Sequence, residues 1–147
     1  MRDLALGFLD TVHVPYEEGR PEIGHDFLTN GALAEDLEAR YRVVEIFFET
    51  QAEQISDTVL DVYADDINSG GEKAARLKGS FSPALAKIQT DFVAFIKAQR
   101  LDYLVRGVPT LSSVLGISHV RQGNVGPPRP SFIDTGQYIA AFRAWMA

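Results

Sequence analysis

Between Ala34 and Ile67, apolar residues recur at Leu37, Tyr41, Val44, Phe48, Ala52, Ile55, Val59 and Val62. Steps of three and four place them along one face of an α-helix, so this stretch reads as a long amphipathic helix. Asn68, Ser69, Gly70 and Gly71 follow. Glycine accepts the left-handed conformation found just past helix ends, so the chain is expected to stop and turn there. A second periodic run begins at Leu85 and Ile88 and continues through Phe92, Phe95 or Ile96, and Leu104. Ser82 and Pro83 ahead of it match an N-cap followed by a first-turn proline. Two such helices joined by a short connection predict an antiparallel αα-hairpin over residues 34–106, with Phe48 and Phe92 among its core residues.

The flanks obey other rules. Pro15, Gly19, Pro21 and Gly24 interrupt residues 1–33, leaving room for a helical turn that pairs Leu4 with Phe8 and a short strand over Thr11–Val14. Four of the seven prolines and five of the twelve glycines fall from residue 107 onward, which reads as loop and short strand, with Val114–Val120 as a candidate strand or hairpin arm. Pro127, Pro128 and Pro130 stiffen an extended connector. Asp134 or Thr135 can then cap a final short helix, on which Tyr138, Phe142 and Trp145 share one face. The expected fold is therefore a single α+β domain, mainly helical: an irregular segment over 1–33, the hairpin over 34–106, and a β/loop segment with a C-terminal arm over 107–147.

Composition narrows the function. The 147 residues include no cysteine, which excludes disulfides, thiolate metal sites and a cysteine nucleophile together. No stretch approaches the ~18 apolar residues of a membrane span, and the first residues lack the apolar core of a signal peptide, so a soluble protein is expected. Charge is segregated. Residues 1–96 hold eight Lys/Arg against eighteen Asp/Glu, and residues 97–147 hold six against two. The six C-terminal cations are spread singly over the segment, unlike the dense basic stripe of a nucleic-acid binder, and direct nucleic-acid binding is not expected. Opposite-signed ends suit charge-steered contact between chains.

Ile133-Asp134-Thr135-Gly136 contains the Asp-Thr-Gly triplet of aspartic proteases, but only eleven residues follow Gly136, and no frame remains for the flap and second apolar strand. Asp134 reads as a helix cap. Glu22 and His25 form one Glu-x-x-His, whereas a di-metal bundle needs two copies on helices. Asp66, Asn68 and Gly71 imitate half of a calcium loop whose closing glutamate position holds Leu77. Glu45, Glu49 and Glu53 read as a solvated helix face. His13, His25 and His119 are scattered. No catalytic residue, metal or cofactor is assigned.

The segment Pro128-Arg-Pro-Ser-Phe-Ile-Asp-Thr-Gly-Gln-Tyr-Ile-Ala-Ala-Phe-Arg-Ala-Trp145 resembles the neck and tail-completion (head–tail joining) proteins of long-tailed bacteriophages. The resemblance implies a non-enzymatic structural virion protein, assembled in the host cytoplasm. It also implies a homo-oligomeric ring of sixfold or twelvefold symmetry that meets portal, adaptor, neck or tail proteins. Arg129, Phe132, Asp134, Tyr138, Phe142 and Trp145 are its expected interface residues. A cytoplasmic helical protein-binding or regulatory module is the alternative.

Overall fold

The computed structural model describes residues 4–9, 29–68, 82–117, 125–133 and 136–146. It is mainly helical with one small antiparallel sheet. The elements in chain order are β1 (Leu4–Phe8), α1 (Asn30–Tyr41), α2 (Val43–Asn68), α3 (Ser82–Lys97), α4 (Leu111–Val114), α5 (Gln137–Ala141) and β2 (Phe142–Met146). The expected strand over Thr11–Val14 lies outside the described residues, as do Ser69–Gly71.

The long helix expected over 34–67 is two helices. Thr29 caps the first, its hydroxyl accepting the Ala32 N–H at 3.1 Å. Arg42 then adopts the left-handed region, φ 50° and ψ 44°, and separates α1 from α2. A non-glycine residue pays about 1–2 kcal/mol there, and local bonds offset the cost. The Glu38 carboxylate accepts the Val44 and Glu45 N–H groups at 2.8 and 3.0 Å, satisfying two otherwise orphaned donors at the start of α2. The Arg42 guanidinium pairs with Glu45 and lies 3.5 Å from Glu49. Its hydrogen bond to Glu45 raises the pKa of Arg42 and lowers that of Glu45.

This one left-handed residue resets the helical phase. Continued unbroken from α1, the apolar stripe would bury Phe48; restarted at Val43, it buries Val43 and Phe47 instead, while Ile55 is buried as its place in the expected stripe requires. Phe47 is 0% exposed and Phe48 is 47% exposed, which reverses the expected assignment. In α3, Ile88, Phe92, Phe95 and Ile96 are buried as their spacing requires, with Pro83 in the first turn. Leu104 does not continue the stripe: α3 ends at Lys97 and Leu104 is exposed. Phe47 meets Phe95 with ring centroids 5.4 Å apart, and Gln54 reaches Asp91 at 3.5 Å. Later residues of α2 therefore face earlier residues of α3.

The two ends of the described chain form the sheet, and two expectations are corrected there. Leu4–Phe8 is a strand, and Phe142–Met146 pairs with it antiparallel, Leu4 opposite Met146 and Phe8 opposite Phe142. The final helix is only Gln137–Ala141, and its N-cap position is held by Gly136 at φ 81°, which offers no side-chain cap. Phe142 breaks the helix by turning to extended backbone, φ −62° and ψ 135°. The reason is packing. Phe142 stacks on Phe92 at 3.9 Å, Phe8 stacks on Tyr138 at 4.7 Å, and Phe47 meets Phe92 edge-on at 5.2 Å. These rings join α2, α3, α5 and both strands into one aromatic core.

Candidate protein interface

The residues expected to face a partner divide sharply in the structure. Tyr138 is buried and Phe142 is 1% exposed, so both belong to the chain's own core. The aromatic face expected for docking on a neighbour is thus closed by Phe8 and Phe92. Burial raises the Tyr138 hydroxyl pKa well above its ordinary value, with the nearby Glu38 charge adding to the effect. That hydroxyl has no hydrogen-bond partner among the described residues. Trp145 keeps 44% of its surface exposed, and its ring lies over Gly7, where an added Cβ would come within 2.8 Å of Cη2. An aromatic covering a cross-strand glycine supports the sheet locally.

Arg129 is structural. Its guanidinium donates to the carbonyls of Ile133, Ser112 and Ile117 at 2.8, 3.1 and 2.7 Å. Phe132, at φ 67°, packs edge-on against Tyr41 at 5.4 Å. Asp134 lies outside the described residues, and with it the expected cap. The proline connector does not project: Gly126 N–H donates to Gly116 O at 2.9 Å, and Arg129 N–H to Ser113 O at 3.0 Å. Residues 125–133 are therefore strapped to the chain's own backbone. The expected C-terminal arm is corrected to a segment folded back on its domain.

What that strap holds is a surface missed by sequence reasoning. Val114–Val120 was expected as a strand; Leu111–Val114 is instead a short helix, capped by the Thr110 hydroxyl on Ser113 N–H at 3.3 Å. Ser113 and Ser131 are buried with their hydroxyl oxygens 3.0 Å apart, and Ser131 accepts the Thr110 N–H at 3.0 Å. On this polar frame Leu111, Val114, Leu115 and Ile117 are all exposed, and the Gly116–Gly126 bond brings exposed Val125 alongside. Gly116 sits at φ 66°, and a Cβ there would lie 1.9 Å from the Gly126 oxygen. The close approach of the two strands of loop requires glycine. The available signal was Thr110, a helix-capping residue directly after Pro109, which favours a helix start over a strand.

Among the described residues no group of three His, Cys, Asp or Glu side chains is placed to hold a metal ion. Glu45 and Glu49 engage Arg42, and Glu53 is exposed to solvent. Glu22, Gly71 and the three histidines lie outside the described residues. No described helix is long and apolar enough to cross a membrane. Compared with protein-family models, curated proteins and solved structures, the chain matches none.

Proposed function

We propose that the chain is a non-enzymatic structural subunit of a tailed-phage virion, acting at the head–tail junction through contacts with other protein chains. The observation that carries this reading is the exposed apolar surface of Leu111, Val114, Leu115, Ile117 and Val125 on its hydrogen-bonded frame. Exposed apolar clusters rimmed by polar residues mark protein contact surfaces. A frame fixed before binding leaves less ordering entropy to lose on docking. The resemblance of Pro128–Trp145 to neck and tail-completion proteins gives the reading its place in the virion.

Light scattering of the purified protein, with negative-stain images of the same sample, tests the reading. Discrete rings of six or twelve subunits support it. A monomer or dimer at every concentration supports the alternative, a cytoplasmic helical module that holds a single partner.

A further inference from the structure

Two more surfaces stand out, at opposite ends of the α2–α3 pair and of opposite sign. The first is the turn that follows α3. Leu101 and Val108 anchor it in the core, and the Tyr103 N–H closes it on Val108 O at 2.9 Å. Within that closed turn Tyr103 is 88% exposed and Leu104 is 70% exposed. Tyr103 also sits at φ 64°, where a bulky side chain costs about 1–2 kcal/mol. Its own fold offers no burial to offset this. Exposed Lys97, Arg100 and Arg106 surround it in sequence against one acid, Asp102.

The second surface is the outer face of α2 near its C-terminal end. Leu60, Ala64 and Ile67, at i, i+4 and i+7, share one stripe and are exposed. Exposed Glu53, Asp57 and Asp61 lie along the same stripe and beside it. No ion pair among the described residues engages these three acids, Arg100 or Arg106. The turn adjoins the end of α3 that faces Phe47, whereas Leu60 and Ile67 lie about 20 and 30 Å of helical rise farther along α2. The two apolar centres are too far apart to meet within one chain.

We infer that the Tyr103–Leu104 tip of one copy docks on the Leu60–Ile67 stripe of a second copy, with Arg100 and Arg106 facing Glu53, Asp57 and Asp61. Charge complementarity identifies the occupant: the chain carries both halves of the match at the two ends of its α2–α3 pair, each an apolar centre with an ionic rim. Such a contact is heterologous, so it propagates head to tail until a ring closes or a filament grows. The inference rests on the reading that this protein acts by binding other chains, and names the surfaces through which it binds itself.

The test reverses the charges in separate full-length proteins, one carrying Arg100→Glu and Arg106→Glu, the other Glu53→Lys, Asp57→Lys and Asp61→Lys. Each alone sets like charge against like, and self-association is expected to weaken about tenfold or more. Mixed in equal amounts, each copy's tip meets a complementary stripe, and assembly returns. All five positions are exposed, and far-UV circular dichroism checks that both variants fold. Tyr103→Ser, which leaves the charges alone, is expected to weaken self-association as well. Wild-type self-association that persists unchanged in all three variants overturns the inference while leaving the chain-binding reading intact. Wild-type protein that stays monomeric at low salt and millimolar concentration also overturns it, and the chain-binding reading then requires a different protein as partner.

Discussion

Phe47 and Phe48 are neighbours in sequence, identical in chemistry and opposite in fate, which makes them a sharp probe of the phase reset at Arg42. Phe47 is 0% exposed and its ring meets Phe92, Phe95 and Phe142 at 5.2, 5.4 and 6.0 Å. Truncation to alanine removes a fully buried ring from the centre of the aromatic core and leaves a cavity between α2, α3 and β2. The expected loss is about 3–5 kcal/mol, toward the upper end because three ring contacts go with the side chain. Phe48, with half of its surface already in water, should lose less than about 1.5 kcal/mol. Urea denaturation followed by circular dichroism measures both, since a change of midpoint at constant slope reads directly as a change in stability. On a domain stability of about 5–15 kcal/mol, Phe47→Ala should shift the midpoint severely and Phe48→Ala slightly. Equal shifts, or a larger one for Phe48→Ala, would refute the break at Arg42 and restore a single continuous helix.

Glu38→Ala should cost about 1–2 kcal/mol by orphaning the Val44 and Glu45 N–H groups, and Glu38→Gln about half as much, measured by the same denaturation. Tyr138→Phe should be neutral or stabilising by about 1 kcal/mol, because the hydroxyl removed is buried without a partner among the described residues. Burial raises the folded-state pKa of Tyr138, so its contribution is full below the ordinary tyrosine value of 10.0 and is lost as pH rises above it. The Phe variant should therefore lose stability less steeply in alkaline titration than wild type. Gly116→Ala, which drives a Cβ into the Gly126 oxygen, should cost about 2–4 kcal/mol. Gly136→Ala meets nothing within 4 Å and should cost only its backbone strain, about 1 kcal/mol. Thermal melts of the two variants check the difference.

The parts of the fold legible in the sequence are those written by local periodicity. The α3 stripe of Ile88, Phe92, Phe95 and Ile96 is regular, starts at Ser82 and Pro83, and is buried as expected. The α1–α2 break was not legible, because Arg42 carries no helix-breaking chemistry of its own; its conformation depends on Glu38 reaching forward to the next helix. Strand pairing was hidden for a related reason. Leu4–Phe8 and Phe142–Met146 are five residues each, too short to separate period two from helical spacing, and their partner lies at the other end of the chain. Tyr138, Phe142 and Trp145 fit a helical face on paper, but Phe142 gains more by leaving the helix to stack on Phe92. Leu104 fits the spacing of α3 and Leu115 falls in the candidate strand over Val114–Val120; the turn closed by the Tyr103 N–H on Val108 O, and the backbone bonds of Gly116 and Arg129, show why they stay outside.

Hydrogen exchange read by mass spectrometry, on dissociated and concentrated full-length protein, addresses the central claim that this chain functions by binding chains through surfaces its own fold leaves open. Concentration should slow exchange over residues 53–67 and 97–117, the stripe and the tip with the adjoining apolar surface. Exchange within 137–146 should stay slow in both states, because that segment is already closed on the chain's own core. Identical exchange in every segment at both concentrations, or new protection confined to 137–146, would contradict the account.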